Sequence, residues 1–575
     1  MMPIHNADIA AVFEEMADLL EIRGANPFRV RAYRTGARAV AEYGDDLAGL
    51  IRNGKQLPKI PGIGQELSHK IEEIVNTGGS AFLERLHKEI PAAVTRLLEV
   101  PGLGPKRVKA LYEAFHIENL EALKQAAEAG RIRALTGFGA KTEQRILDAV
   151  GKKPAGKRRF KRVVAAQYAE TLAAALRNVK GVSRVEIAGS YRRCKETVGD
   201  LDLLAIAPTG TAIMRRFASY DEVSRVISQG DTRASVVLEC GLQVDLRVVG
   251  PESYGAALAY FTGSKAHNIA LRKRAQGLGL KLSEYGVFRG AERITGDTEE
   301  SVFAALGLPW IPPELREDRG EVGSAEEGAL PRLVERTDLR GDLHSHTRAS
   351  DGRADLRQMA EAARTQGLKY LAITDHSQRL KVAHGLSADR LLQQMGQIDR
   401  LNDELDGITL LKGVEVDILE DGRLDLPDDV LGRLDLVVGA VHSRFDLPRA
   451  RQTERMLKAL DHPHFTLLAH PTTRDLDKRP AMEADWPRII RHARERGCFL
   501  ELDSQPNRLD LLDTWCRVAR EEGVMVSIDS DAHSVSDLGN LVWGVGQARR
   551  GWLSASDVLN TRGLRQLRPL LRRTM

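Results

Sequence analysis

Asp200 and Asp202 are two residues apart in the run Asp200-Leu201-Asp202-Leu203-Leu204. On an extended strand both carboxylates therefore point to one face, while Leu201 and Leu203 point to the other. Two carboxylates on one face hold a hard cation. A third comes from Val244-Asp245-Leu246-Arg247-Val248, where the apolar residues share a face and Asp245 lies opposite. Three carboxylates from two strands suit a pair of Mg²⁺ ions, which activate an attacking oxygen and neutralise a leaving pyrophosphate in phosphoryl transfer. A lone Asp-x-Asp is otherwise a solvated strand end. Here Gly189-Ser190 follows the apolar run 182–188, and a turn with free backbone N–H groups beside a metal site is a phosphate cradle.

A second set of metal-type residues lies in the last 240 or so positions: Asp342-Leu343-His344-Ser345-His346, Asp351, Asp375-His376, Glu415, His442, His470 and Asp531-Ala532-His533. Apolar runs at 370–374, 409–411, 434–441, 465–469, 498–502 and 524–528 alternate with amphipathic helices, which predicts parallel strands in an α/β barrel or sheet. The metal-type residues fall mainly at the strand ends, where active sites gather in such folds. One His at a strand end is structural as readily as it is a ligand. His344 and His346, two apart on one strand face, are joined by His or carboxylate at five further strand ends, and that clustering reads as a metal site.

The elements that carry these residues need several cores, since 575 residues exceed what one core supports. The four cysteines, Cys194, Cys240, Cys498 and Cys516, show no CxxC spacing, which favours a reducing, cytoplasmic setting over a disulfide or zinc-finger framework. No apolar run is long enough to span a membrane, and the N-terminus has no signal-peptide pattern. A net charge of +4 makes any basic surface local.

From residue 6 to about 150 the pattern is short amphipathic helices broken by glycine turns. Three turns are alike: Ile60-Pro61-Gly62-Ile63-Gly64, Val100-Pro101-Gly102-Leu103-Gly104 and Leu135-Thr136-Gly137-Phe138-Gly139. Gly-hydrophobic-Gly brings backbone close to a ligand, although one copy is equally a helix C-cap. Repetition favours nucleic acid. Lys106, Arg107, Lys109 and Lys141 follow the turns, and residues 152–162 hold seven basic side chains and no acid, as linker, DNA contact or both. Further on, Tyr260-Phe261-Thr262-Gly263-Ser264-Lys265-Ala266-His267-Asn268 places an aromatic pair before a tight turn, which walls a sugar and base or belongs to a core.

The turns resemble helix-hairpin-helix motifs, which grip the DNA backbone. Residues 189–204 resemble the nucleotidyltransferase superfamily, and 189 to about 313 resemble the palm and nucleotide-selecting subdomain of the polymerase beta-like family X DNA polymerases. That resemblance implies that Asp200, Asp202 and Asp245 are the catalytic, metal-binding triad for Mg²⁺ or Mn²⁺, with Asp245 the base for the primer 3′-hydroxyl. It implies that Ser190, Arg193 and Gly199 hold the incoming triphosphate, that Tyr260, Phe261 and Gly263 form the sugar-discriminating turn, that Asn268 bonds the nascent base pair, and that Arg272 touches the template strand. Gly62, Gly64, Gly102, Gly104, Lys106, Gly137 and Gly139 become DNA contacts. Val198 stands where that family has a phosphate-binding Ser, and Lys265 where it has an acid. Lys70 falls at the lyase position, with Arg29 and Tyr33 at pocket positions and Phe28 in place of a basic or His ligand.

Residues 338–575 resemble the PHP (polymerase and histidinol phosphatase) domain. This implies up to three Mn²⁺ or Zn²⁺ ions: His344, His346, Glu415 and Asp531 on one, Glu415, His442 and His470 on the next, and Asp351, His376 and His533 on the third. Arg508 is a candidate phosphate contact.

The expected protein is multidomain, with an all-α helix-hairpin-helix region, an α+β nucleotidyltransferase palm and thumb, and a C-terminal PHP α/β barrel. The expected divisions are a lyase-like domain (1–85), a fingers-like domain (86–151), a basic linker (152–165), palm (166–254), thumb (255–315), linker (316–337) and PHP domain (338–575). The expected activity is gap-filling DNA synthesis in base-excision repair with 3′→5′ exonuclease, and with abasic-site endonuclease and lyase activities beside it. Gapped or nicked DNA and dNTPs are the expected partners, with no membrane, for a monomer. The alternatives are a repair scaffold whose PHP unit is the main enzyme and a template-independent nucleotidyltransferase, the latter disfavoured by the hairpins and Asn268.

Overall fold

The computed structural model describes residues 4, 6–41, 43, 47–60, 62–100, 103–135, 137–151 and 158–572. Gly102 and residues 152–157 of the basic run lie outside the described residues. The chain forms two compact units, one of 1–159 with 219–225 and 237–242, the other of the remainder.

The first unit is helical. Phe13, Tyr33, Leu67, Ile71, Phe82, Val108, Leu111 and Phe138 share one core. In each glycine turn the hydrophobic residue closes the same bond: Ile63 N–H donates to Ile60 C=O, Leu103 to Val100 and Phe138 to Leu135, at 2.9–3.0 Å. The second glycine then accepts the first helical bond, Gly64 from Ser68, Gly104 from Val108 and Gly139 from Glu143. Gly62 and Gly137 have φ of +80° and +87°, the left-handed backbone that glycine tolerates at no steric cost.

The second unit begins with a palm. A ribbon of β1 (Phe160–Lys161) and β3 (Thr197–Val198) flanks a five-stranded sheet. That sheet has the order β2 (Arg184–Ile187), β4 (Asp200–Ile206), β7 (Gln243–Val249), β6 (Arg233–Leu238), β5 (Val223–Gln229). β4 and β7 are parallel and pair Asp202 with Asp245. The period-two pattern holds, with Leu201, Leu203, Val244 and Leu246 buried and the three aspartates half-buried. The thumb follows: helices Tyr254–Thr262 and Lys265–Gly277, the antiparallel strands β8 (Lys281–Ser283), β9 (Gly286–Arg289) and β10 (Glu292–Thr295), and helix Glu299–Ala305.

The stretch read as a linker is packed. It contains helix Glu321–Glu326, and Arg316 and Glu321 have no exposed surface. Arg316 reaches Glu299 at 2.7 Å, and Glu321 reaches the His267 ring at 2.6 Å. Pro and Gly made the segment look open; its Arg316 instead neutralises the buried Glu299 of the thumb, and its Glu321 bonds the His267 ring.

Seven parallel strands complete the unit, in chain order: β11 (Gly341–Asp342), β12 (Tyr370–Ile373), β13 (Thr409–Asp417), β14 (Leu436–Ala440), β15 (Leu467–Leu468), β16 (Phe499–Asp503) and β17 (Val526–Asp529). A parallel bridge from Ser345 to Ala532 nearly closes them into a barrel. Two sequence readings shift. β11 ends before His344 and His346, which lie just past it, and β13 continues to Asp417, so Glu415 sits within its strand. No helix among the described residues is long and apolar enough to cross a membrane.

Candidate active sites

On the palm, Asp202 is pushed up to about 7 by burial and by the repulsion of Asp200 and Asp245. A bound divalent cation would remove that repulsion, so the donor set fits one. Asp245 is oriented by Gln243, whose Nε2 donates at 3.0 Å, and by the Ser235 hydroxyl. Gly189, at φ +62°, packs where any Cβ would fall on the Asp202 carboxylate. The strand end, the turn and the metal face are thus one rigid piece.

Ser190 is half-buried in the short helical turn Gly189–Arg192, and Gly199 separates β3 from β4. Arg193 is buried, donating from Nε to Glu317 at 3.0 Å and from Nη1 to the Thr262 carbonyl. Val198 is fully buried opposite Phe160 in the ribbon. Tyr260 and Phe261 are half-buried and meet edge to face at 5.1 Å. Arg272 lies 5.1 Å over Tyr260, and Asn268 Nδ2 donates to the Tyr260 carbonyl at 2.7 Å. Gly263 is buried below them, and Lys265 is exposed at the start of its helix. These residues therefore share one wall.

In the helical unit, Gly62, Gly64, Gly104, Gly137, Gly139 and Lys106 are exposed. The apolar residue between the glycines turns inward and leaves bare backbone outward, the surface a phosphate needs. Lys70 has the Glu66 carboxylate at 3.8 Å and the Phe82 ring at 4.8 Å. Tyr33 Oη also bonds Glu66, at 3.2 Å. Lys70 thus shares the Glu66 carboxylate and the Phe82 ring with Arg29, which lies 3.5 Å from the one and 5.0 Å from the other.

All nine expected ligands of the barrel gather at one mouth. His344 Nε2 and His346 Nε2 face each other at 3.1 Å, and His346 Nε2 is 3.1 Å from Asp531. His346, Asp351, His376 and His533 converge as a second group, and His376, Glu415 and His442 as a third. His470 Nε2 is 2.9 Å from Glu415. The sets implied by resemblance are close-packed enough to overlap: His346 also borders the set of Asp351, and His376 that of His442. Burial would raise Glu415, but His376, His442 and His344 hold it well below the carboxylate range. Burial would lower His376, but Glu415 and Asp351 raise it to about 10. Six imidazoles and three carboxylates in so dry a site fit borderline divalent cations such as Mn²⁺ or Zn²⁺.

The sequence reading missed the residues that aim these ligands. Glu501, on the one long barrel strand given no site residue, bonds His344 Nδ1 at 2.6 Å and accepts from the His470 N–H at 2.5 Å. Asp342 and Asp529 clamp the turns beside them, Asp529 accepting from Leu343 N–H and Asp342 from Ser530. A carboxylate at every other position of an apolar strand was the available signal. Arg508 pairs with buried Asp503 at 3.4 Å. Beside His442 opens a cleft of about 900 Å³ lined by Gln378, Arg379, Lys381 and Asp417, large enough for a nucleotide.

Comparison with known proteins matches these parts in order. Family models fit for a helix-hairpin-helix domain (4–80), a SAM-like helix-hairpin-helix tandem (94–152), DNA polymerase beta palm (159–241), DNA polymerase beta thumb (257–317) and the PHP domain (342–528). The chain is 39% identical over 574 residues, 99% of its length and all of the relative's, to the DNA polymerase/3′-5′ exonuclease PolX of Bacillus subtilis (strain 168). Its polymerase part is 29% identical over 301 residues to DNA polymerase lambda of Arabidopsis thaliana, covering 46% of this chain and 54% of that one. The barrel is 29% identical over 233 residues to a probable phosphatase of Thermoanaerobacter sp. (strain X514), covering 38% of this chain and 89% of that one.

Proposed function

The chain belongs to the family X DNA polymerases that carry a C-terminal PHP domain, and on that footing we propose that it fills short gaps in DNA during base-excision repair. It is a metal-dependent DNA polymerase with 3′→5′ exonuclease activity, acting on DNA and nucleotides. The proposal concerns which residues do what. Asp200, Asp202 and Asp245 would hold two Mg²⁺ or Mn²⁺ ions, and Asp245, aimed by Gln243 and Ser235, takes the proton of the primer 3′-hydroxyl. Bound there, the ions supply charge neutralisation for the departing pyrophosphate. Ser190, Arg193 and Gly199 receive the triphosphate, the wall of Tyr260, Phe261 and Gly263 packs the sugar, and Asn268 and Arg272 face base pair and template. The bare glycines of the hairpins and Lys106 track the backbone of gapped or nicked DNA.

In the barrel, up to three Mn²⁺ or Zn²⁺ ions would be held by His344, His346, Asp351, His376, Glu415, His442, His470, Asp531 and His533, supplying hydroxide at neutral pH for phosphodiester cleavage. The cleft beside His442 receives the 3′-terminal nucleotide, and abasic-site cleavage is the same chemistry on another strand position. A cytoplasmic setting fits four cysteines with no CxxC spacing, two of them buried.

The observation that carries this reading is the in-register pair Asp202–Asp245 in a chain whose second metal-type cluster is chemically different. Extension of a primer across a one-nucleotide gap tests it. Asp245→Ala abolishes extension and spares 3′ degradation, and His442→Ala does the reverse. Loss of both activities together in each folded variant would end the two-site reading. For lyase chemistry at Lys70, borohydride trapping on an incised abasic duplex decides: an adduct lost in Lys70→Ala supports it, and a wild-type chain that traps nothing removes it.

A further inference from the structure

One helix of the barrel, Leu541–Arg550, lies against the turn that carries the triphosphate residues. Trp543 stacks on Arg162 at 5.1 Å, and Arg162 stacks in turn on Tyr191 at 5.2 Å. Gly546 comes so close that a Cβ there would sit 3.0 Å from the Arg162 guanidinium and 3.3 Å from Cys194. At the end of the helix, Arg550 is buried. Its Nη1 donates to the Arg193 carbonyl and to Glu317 Oε1, each at 2.8 Å, and its Nη2 donates to Asp513 at 2.8 Å.

Glu317 Oε1 is the same oxygen that accepts from Arg193 Nε at 3.0 Å. One carboxylate oxygen therefore joins a guanidinium of the palm to a guanidinium of the barrel. The bonded carbonyl precedes Cys194, whose φ of +56° is a left-handed conformation that a non-glycine residue keeps only when its surroundings fix it. Arg550 and Gly546 are those surroundings. Lys195 adds a third cation 3.8 Å from Glu317, so Arg193, Arg550 and Lys195 stand against the two carboxylates Glu317 and Asp513.

We propose that Arg550, a residue of the phosphoesterase barrel, is a positioning residue of the polymerase site, holding the Arg193 turn in the geometry that receives the nucleotide triphosphate. The proposal rests on the reading that Arg193 contacts that triphosphate. Among the described residues the hydrogen-bond partners of Arg550 are Arg193, Glu317 and Asp513, none of them in the metal-type cluster. Its loss falls on synthesis alone. It also makes the barrel a structural part of the polymerase, beyond its own hydrolysis.

The test is steady-state gap filling by the full chain, with nucleotide release from a single-stranded 3′ end measured on the same preparations. Arg550→Ala raises KM for dNTP about tenfold and changes kcat less than about threefold, as loss of charged hydrogen bonds that orient a binding group would. Nucleotide release stays within about twofold of wild type. Arg550→Lys, which keeps the charge facing Glu317, recovers part of the affinity. The double variant Arg193→Ala/Arg550→Ala is no worse than Arg193→Ala, because Arg550 acts through Arg193. Three results overturn the proposal: an unchanged KM in Arg550→Ala, additive losses in the double variant, or parallel decline of both activities with no recovery in Arg550→Lys. If Arg193→Ala itself leaves KM unmoved, the underlying reading of Arg193 fails instead, which separates the two.

Discussion

Glu299 is the test of how the thumb holds the palm turn. Its side chain is 5% exposed and accepts from Arg192 through both Nη atoms at 2.8 Å, from fully buried Arg316 at 2.7 Å and from Trp310 Nε1 at 2.9 Å. Burial would raise its carboxyl, but the two arginines bring it down to about 2 from 4.5. That difference corresponds to about 3 kcal/mol, the same order as breaking a buried ion pair from one side. Because the folded value is the depressed one, this stability is present above pH 4.5 and is lost as pH falls toward 2. Glu299→Gln should therefore speed amide exchange in helix Glu299–Ala305 about a hundredfold at pH 7, with little further loss on acidification. Arg316→Met in the same chain should recover part of it, since one stranded guanidinium is gone. Exchange less than about threefold faster in Glu299→Gln would mean that Arg192 and Arg316 find water at no cost, and the triad would not be what holds the turn.

Gly189→Ala should stop gap filling while leaving nucleotide release by the barrel intact, because the added methyl falls on Asp202 and the left-handed backbone disfavours it by about 1 kcal/mol besides; primer extension and 3′ degradation on one preparation show whether the loss is confined. Glu501→Gln should weaken metal binding at the barrel about 10- to 100-fold by releasing His344 from its aim, with gap filling unchanged. Metal titration followed by nucleotide release measures it, and unchanged metal affinity would reduce Glu501 to a packing residue.

What could be read from the chain follows from the range of the signal. Asp200, Asp202 and Asp245 were legible because alternation along a strand needs no knowledge of tertiary structure, and the buried Leu201, Leu203, Val244 and Leu246 keep to it. The barrel ligands were legible as a set because each stands near the end of an apolar run, but which ligand faces which depends on strand tilt and closure. Hence His346 and His376 keep the neighbours implied and each also borders a second set. Glu501 escaped because a carboxylate inside an apolar strand looks like one exposed position, and only closure of the ring turns it toward His344. Composition misled at 316–337, where Pro, Gly and acid suggested an open linker: Glu317 and Glu321 are held inside because Arg193, Arg550 and His267 await them. Glu317 and Arg550 are 233 residues apart, and nothing local in either stretch announces the other. The shared Glu317 carboxylate ties the Arg193 turn of the palm to the last turn of a barrel helix, a link that only the folded tertiary structure supplies.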